Sequence, residues 1–281
     1  MNILRRRLIT LIALALVLPS GGGALAQSAD SDDPEASPMW QQVRNSLFQG
    51  RTITSPADDV LVLDAPTRAE DAAIVPISIR TRLAQSDSRY IRTLYLMIDN
   101  NPSPLGATFH FTPNSGRADI ETRVRVDAYT HVRAIAEMSD GQLYMSTRFV
   151  KASGGCSAPP GKDPQAALST LGRMRLRVEG EVIANRPALA QLMISHPNHS
   201  GLAMDQLTRH YTPARYVRKI LVTYAGAPVL SADVDFSISE NPNFRFYFQP
   251  GGKGELKAEV VDTEDQRFES ALAVAPVKAA N

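Results

Sequence analysis

Alternation of apolar and polar side chains dominates the sequence after Gly50, and it constrains the fold more than any other feature. Fourteen short segments have this alternation or a strand-forming composition: 60–63, 74–79, 93–98, 107–111, 120–126, 132–137, 143–150, 174–178, 188–195, 217–224, 229–236, 245–249, 254–261 and 268–274. A side-chain period of two is that of a β-strand, and no sustained helical period follows Gly50. Turn residues separate the segments, and Asp140-Gly141 between two alternating runs predicts a hairpin. The sequence therefore predicts an all-β protein with two immunoglobulin-like β-sandwich domains in tandem, and it argues against a Rossmann or barrel enzyme.

One stretch in the middle of the chain interrupts this pattern. Residues 152–170 contain three glycines, three prolines and few large apolar side chains. Such a composition is typical of a connection between domains. We therefore predict a first domain at 39–151, a flexible linker at 152–172 and a second domain at 173–281.

The amino terminus has the pattern of a secretory signal peptide at residues 1–26. Arginines at 5, 6 and 7 precede an apolar run at 8–18, and Ala24-Leu25-Ala26 offers a cleavage site. The apolar run is shorter than the roughly 20 residues of a membrane-spanning helix. We therefore predict export to the periplasm without a stable membrane anchor, while twin-arginine export and a retained anchor stay open as alternatives.

Charge argues against one class of partner. The chain has 30 basic and 29 acidic residues, and removal of the signal with its three arginines leaves 27 basic residues against 29 acidic ones. Nucleic-acid-binding proteins normally show a basic excess. The sequence therefore predicts no nucleic-acid partner.

A short helix is expected before the first strand. Residues 27–38 are acidic and rich in Ser, Asp and Pro, which is typical of a disordered lead-in. Ser37 and Pro38 then form a helix-starting pair, a cap followed by a first-turn proline. The apolar residues after them have helical spacing and are Met39, Trp40, Val43, Leu47 and Phe48. We predict an amphipathic helix that ends at Gly50.

The chain has a single cysteine, Cys156, within the predicted linker. One cysteine forms no intrachain disulfide and no multi-cysteine metal cluster, although exported proteins usually keep cysteines in pairs. Gly154 and Gly155 precede it, and Lys151 and Lys162 are the nearest cations in sequence. We expect an exposed thiol on a flexible arm, which as a thiolate would form covalent adducts. The alternative is a buried and inert thiol, the commoner fate of a free cysteine.

Other kinds of site have little support in the sequence. His196, His199 and His210 could join Cys156 in a metal site, but a pair of histidines around a proline in a loop is a weak pattern. The sequence has no Gly-x-Ser-x-Gly elbow and no phosphate-binding glycine loop in the mature chain. We predict no metal and no cofactor, with a metal chaperone that uses Cys156 and His196 or His199 as a minor alternative.

Two sets of short motifs resemble known families. Val75-Pro76-Ile77, Asn101-Pro102-Ser103-Pro104 and the segment 151–156 resemble SoxY, the sulfur-carrying subunit of the bacterial thiosulfate-oxidising system. The second set resembles SoxZ, the partner of that carrier, and comprises Met193 to Pro197, Gly201-Leu202, Pro213 to Val217, Ser239 to Pro242, Phe246-Tyr247-Phe248 and Gly251 to Gly254. Together they cover nearly the whole predicted mature chain. The sequence is similar to the fused SoxYZ-like carriers associated with quinoprotein dehydrogenases.

The resemblance implies a carrier without catalysis of its own. In the family, the cysteine of a Gly-Gly-Cys-Gly-Gly arm holds sulfur intermediates covalently and delivers them to separate enzymes. That role falls on Cys156, with Gly154 and Gly155 as the arm, and the implied partners are periplasmic sulfur-oxidation enzymes or a quinoprotein dehydrogenase system. Two features depart from the family, because the arm is internal and the following glycines are replaced by Ser157 and Ala158. The alternative is a non-covalent accessory module of a periplasmic dehydrogenase.

Overall fold

The computed structural model describes residues 33–159, 169–205 and 208–278, all of which belong to one compact unit at Asp32–Asn281. The predicted signal peptide and the centre of the predicted linker lie outside the described residues. The elements are a helix α1 at Pro38–Phe48, 3-10 turns at Pro34–Ala36 and Pro113–Ser115, and strands β1 Ile53–Thr54, β2 Leu61–Asp64, β3 Val75–Thr81, β4 Ile91–Ile98, β5 Leu105–Phe111, β6 Ile120–Val124, β7 Thr130–Met138, β8 Leu143–Val150, β9 Met174–Glu179, β10 Ala188–Ile194, β11 Val217–Tyr224, β12 Ala227–Val234, β13 Asn243–Phe248, β14 Gly254–Asp262 and β15 Arg267–Val274. No described helix combines the length and apolar character of a membrane span.

The strands form two facing sheets, which confirms the predicted all-β, immunoglobulin-like fold. The larger sheet has nine strands in the order β1-β8-β7-β4-β5-β12-β11-β14-β15, and the smaller has six in the order β2-β3-β6-β13-β10-β9. All pairs are antiparallel except β1 with β8. Every predicted segment overlaps a strand, and β7 and β8 form the hairpin predicted at Asp140-Gly141. The two-residue strand β1 was not predicted, because it is too short to alternate.

The two halves of the chain share both sheets. Strand β5 pairs with β12 in the larger sheet, and β6 pairs with β13 in the smaller. One hydrophobic cluster runs from Ala57 to Val274 through the junction, where the rings of Phe109 and Phe244 lie 6.2 Å apart. Pairing across the junction satisfies strand edges that would otherwise be exposed. The sandwiches therefore lie side by side with continuous sheets, while the domain boundaries at 151 and 173 stay a prediction.

Helix α1 covers the outer face of the larger sheet. The Ser37 hydroxyl accepts a hydrogen bond from the Trp40 amide at 3.2 Å, and Pro38 occupies the first turn, as predicted. Trp40 and Phe48 are buried in a second cluster with Met97, Ile135, Leu143 and Met145. The helix ends at Phe48, and Gln49 adopts the left-handed conformation just before Gly50. Burial of its apolar face therefore fixes the helix to the sheet.

A buried ion pair lies beneath this helix. The Arg133 guanidinium contacts Asp99 at 2.6 Å and stacks 4.4 Å from the Trp40 ring, and both charged side chains are almost completely buried. Arg133 also donates to the carbonyl of Pro34. The residues just before the helix therefore form a 3-10 turn anchored on the sheet, where the sequence predicted a disordered lead-in.

Candidate functional site

The segment containing Cys156 is docked against the chain that follows β6. The Gly154 amide donates to the Asp127 carbonyl at 2.8 Å, and the Gly155 amide donates to the Val126 carbonyl at 3.0 Å. The Cys156 amide donates to the Asp127 carboxylate at 3.2 Å. We call residues 154–156 the arm. The backbone amides of all three arm residues are thus hydrogen-bonded.

The two glycines of the arm meet different requirements. A Cβ at Gly155 would lie 2.1 Å from the Ala72 carbonyl oxygen and 2.7 Å from that of Val126. Both are backbone atoms, which cannot avoid the clash by a side-chain rotation. Gly154 has φ +79°, which favours glycine, but a Cβ there would meet no atom within 4 Å. Gly155 therefore permits close packing of the arm, whereas Gly154 supplies a backbone conformation.

The expectation of an exposed thiol is not met. Cys156 is only 1 % exposed. Its carbonyl accepts a hydrogen bond from the Ser200 hydroxyl at 2.5 Å, so a residue of the carboxyl-terminal half closes over the arm. The Gly- and Pro-rich composition suggested a free loop, but the arm fills the junction between the halves through backbone contacts.

Charges at the junction disfavour a thiolate in this position. Burial, together with the nearby charges of Asp127 and Asp235, raises the pKa of Cys156 to about 12, although the positive charge of Arg125 opposes this rise. Since the thiolate is the nucleophilic form, the docked thiol is unreactive at neutral pH. The cation facing the sulfur is Arg125 rather than the predicted Lys151, and Lys162 lies outside the described residues.

Arg125 is held in place by the carboxyl-terminal half. Its side chain is 7 % exposed, and its Nη1 donates to the carbonyls of Phe236 and Ile238 at 2.8 and 2.7 Å. Burial lowers the pKa of Arg125. Burial also raises the pKa of the nearby Asp235 to about 6, against hydrogen bonds from Ser237 that lower it. The docking site is thus a buried, charged pocket built from both halves.

The histidines predicted as possible metal ligands have structural partners. His196 is buried, with Nδ1 accepting from the Asn198 amide at 3.0 Å and Nε2 lying 3.4 Å from Asp262. Asp262 also accepts from Arg215 at 3.2 Å. Burial lowers the pKa of His196, so its neutral ring donates from Nε2. This cluster holds the loop that carries Ser200.

The remaining metal candidates lie apart from a ligand cluster. His199 is half-buried beside Arg125 and Glu240, and His210 is exposed. Among the described residues, no group of three or more His, Cys, Asp or Glu side chains has the arrangement of a metal site.

Sequence reasoning missed the residues that surround Cys156. Asp127 and Ser200 are 29 and 44 positions away from it, and Asp235 lies still further along the chain. No local pattern links them. The signal available was weaker: Arg125 and Asp127 are charged residues just after a strand, where the chain enters a loop, and loops often carry functional residues.

Comparison with protein families gives the decisive observation. The model of sulfur oxidation protein SoxY matches residues 44–156 and stops at Cys156, and the model of sulphur oxidation protein SoxZ matches residues 176–273. The chain is a fused SoxY–SoxZ protein. The SoxY half therefore supplies the arm and Arg125, and the SoxZ half supplies Ser200 and the carbonyls that hold Arg125. The two domains place the chain in a family of sulfur-oxidation carriers.

Other comparisons add little to the SoxY–SoxZ assignment. No curated protein matches the sequence. A superoxide reductase (neelaredoxin) from Ignicoccus hospitalis is 14 % identical, with a TM-score of 0.29 over 33 % of this chain and 79 % of that one. Red sea bream transglutaminase is 10 % identical, with a TM-score of 0.24 over 88 % of this chain and 34 % of that one. Similarities at this level carry no argument about function.

Proposed function

We propose that this SoxY–SoxZ protein is a periplasmic carrier that holds a sulfur-containing intermediate covalently on Cys156 and presents it to partner enzymes. The observation that carries the proposal is the position of the thiol. The SoxY match ends on the single cysteine of the chain, and that cysteine lies on a short glycine-led arm held mainly by backbone hydrogen bonds.

Such an arm can leave its docking site at small cost. Four hydrogen bonds hold it, at Gly154, Gly155 and both backbone groups of Cys156, and each contributes about 1 kcal/mol. Release returns conformational entropy of about 1–2 kcal/mol for each of the three residues. The hydrogen bonds and the entropy nearly cancel, so burial of the Cys156 side chain, worth roughly 2–3 kcal/mol, keeps most arms docked and leaves the released arm a minor state of about 1 %.

Release would also activate the thiol. In water the pKa of a cysteine is about 8.5, so a few per cent of a released Cys156 is thiolate at neutral pH. The thiolate then attacks an S–S-bonded donor held by a partner enzyme. A new S–S bond forms at Sγ, the old bond breaks, and the donor's other sulfur leaves as a thiolate, so the exchange needs no external oxidant.

The carrier itself needs no catalytic group in this scheme. The docked state keeps the thiol neutral and out of water, and the released state offers it to loading and unloading enzymes. The partners we propose are periplasmic sulfur-oxidation enzymes or a quinoprotein dehydrogenase system, with thiosulfate oxidation as the process served.

Substitution of the cysteine tests the proposal. A strain that depends on this protein for sulfur oxidation should lose that activity with Cys156→Ser, and the purified variant should show no adduct by intact-protein mass spectrometry. Ser157→Ala is the matched control, because Ser157 is the exposed neighbour and, among the described residues, its hydroxyl donates only to the Gly154 carbonyl, at 3.4 Å. Full activity of Cys156→Ser would refute the carrier role.

Burial of the thiol favours one alternative, a non-covalent accessory module of a periplasmic dehydrogenase. In that case Cys156 fills the junction and takes no part in chemistry. Cys156→Ser would then keep its activity, and native Cys156 would react with a thiol reagent only as fast as the whole protein unfolds.

A further inference from the structure

The outer face of the six-stranded sheet carries a row of side chains across the junction between the two halves. Met193 on β10 lies between Asn243 on β13 and Arg175 on β9 in the strand register. The pairing of Arg245 with Glu121 places Arg123 on β6 opposite Asn243. Arg123 in the SoxY half and Arg175 in the SoxZ half therefore lie at opposite ends of one row of side chains.

The next row on the same face is electrically balanced. Arg245 contacts Glu121 at 2.5 Å and Glu179 at 2.7 Å, and Arg177 contacts Glu179 at 3.5 Å. Its arginines thus have carboxylate partners within the sheet.

The first row lacks such partners, and so does Arg173, which precedes Arg175 by two residues and lines the same cavity. Within the part of the chain that the structure describes, no carboxylate forms an ion pair with Arg123, Arg173 or Arg175. Arg123 donates from Nη2 to the Asn241 carbonyl at 3.0 Å, and its buried Nε has no hydrogen-bond partner. Arg173 and Arg175 are exposed. The positive charges of these three guanidinium groups are thus not neutralised by any described carboxylate.

These arginines line one open cavity of about 410 Å³. Its other lining residues are Met174, Met193, Ile194, Ser195, Asn241 and Asn243, so none of its lining residues is acidic. An adjoining cavity of about 420 Å³ shares Arg123 but includes Asp64 and Glu121. Of these two adjoining cavities, only the first is lined by arginines without any acidic side chain.

The arginine row lies beside the docking site of the arm. Arg125 faces Cys156. Arg123 lies two residues before Arg125, or about 7 Å along an extended chain. Asn241, whose carbonyl accepts from Arg123, also donates its amide to the His196 carbonyl at 2.8 Å. His196 begins the loop that carries Ser200 to the arm. A molecule bound on the row would therefore lie close to the residues that hold the arm in its docking site.

We infer that Arg123, Arg173 and Arg175 form a docking surface for the acidic face of a partner protein that acts on the arm. That the partner acts on Cys156 rests on the proposed function. That the surface attracts an acidic partner rests only on its arginines. Strands β6 and β9 are three strand spacings apart, or about 14 Å, so the arginines suit several carboxylates better than one small anion. Charges placed this way mainly accelerate association and select partners.

Binding of an acidic peptide tests the surface directly. The mature protein is titrated into fluorescently labelled poly-L-glutamate, and anisotropy is followed at low and high ionic strength. We expect saturable binding that high salt abolishes, because exposed charges are screened within a Debye length. The double variant Arg173→Glu with Arg175→Glu should bind at least about 10-fold more weakly.

The matched control changes two other exposed arginines on the nine-stranded sheet, Arg148→Glu with Arg267→Glu. It alters net charge equally and should bind like the wild type, with thermal unfolding of both variants unchanged. An equal loss in both double variants, or no loss in either, would overturn the inference. So would sulfate or phosphate binding at the row without any binding of the peptide.

Failure of the docking surface can be told apart from failure of the carrier role. Cys156→Ser should bind poly-L-glutamate like the wild type, because the row does not include the thiol. Normal peptide binding together with full activity of Cys156→Ser would leave the surface intact and refute only the carrier role.

Discussion

Replacement of Gly155 by alanine should release the arm from its docking site. The added Cβ would lie 2.1 Å from the Ala72 carbonyl oxygen and 2.7 Å from that of Val126, closer than van der Waals contact allows. The arm must therefore move away, and the amide hydrogen bonds at Gly154, Gly155 and Cys156 break. At about 1 kcal/mol each, their loss shifts the equilibrium toward the released arm by on the order of 100-fold.

The assay is the rate at which native Cys156 reacts with a chromogenic disulfide reagent at neutral pH. Wild-type protein should react slowly and Gly155→Ala about 100-fold faster, since only the released thiol ionises appreciably. Gly154→Ala is the matched control, because its added Cβ meets no atom within 4 Å. An alanine at this positive φ costs about 1 kcal/mol, so we expect the labelling rate to rise less than about 10-fold. Reaction of Gly155→Ala at the wild-type rate would refute the packing argument, as would wild-type reaction as fast as that of urea-unfolded protein.

Three further changes test the surrounding structure. Burial raises the pKa of Asp235 to about 6, so its contribution to stability is complete below the unfolded pKa of 3.8 and is lost as pH rises through 6. Asp235→Asn should therefore make the free energy of unfolding less dependent on pH between pH 4 and 6, and should raise it at pH 7 by on the order of 1–3 kcal/mol. The same pH dependence of urea unfolding in the variant and the wild type would contradict this. Asp99→Asn should lower the free energy of unfolding by about 3–5 kcal/mol, because among the described residues Asp99 is the only carboxylate within 3 Å of the buried Arg133 guanidinium. An unchanged Tm would contradict this prediction. Trp40→Ala should cost about 3–5 kcal/mol and expose α1 to proteases, whereas wild-type resistance would show that the helix is held elsewhere.

Alternation along the chain was sufficient to locate the strands but not to join them. Phe109 and Phe111 alternate with the exposed His110, and this pattern places β5 in a half-buried sheet whichever strand lies beside it. The pairing of β5 with β12 depends on edges brought together by the whole fold. The sequence therefore predicted two sandwiches correctly, but it did not predict that their sheets would be continuous.

The sequence singled out Cys156 as the candidate carrier residue, and the structure differs from the expectation in the burial of its thiol. Cys156 was identified from its solitary occurrence and its glycines, and the same glycines suggested a free arm. Gly155 instead allows contact with backbone atoms of Ala72 and Val126, and such contacts leave no side-chain pattern in the sequence. Arg125 was missed for a similar reason, because its partners are carbonyls in the other half.

The most direct test of the account is the intact mass of the protein isolated from its native periplasm under sulfur-oxidising conditions, with no reductant added. We predict a species heavier than the mature chain by bound sulfur or a sulfur oxoanion. The increment should map to the peptide containing Cys156 and disappear after reduction. A single species with the mass of the unmodified chain and a free thiol at Cys156, under conditions in which the pathway is turning over, would contradict the carrier role.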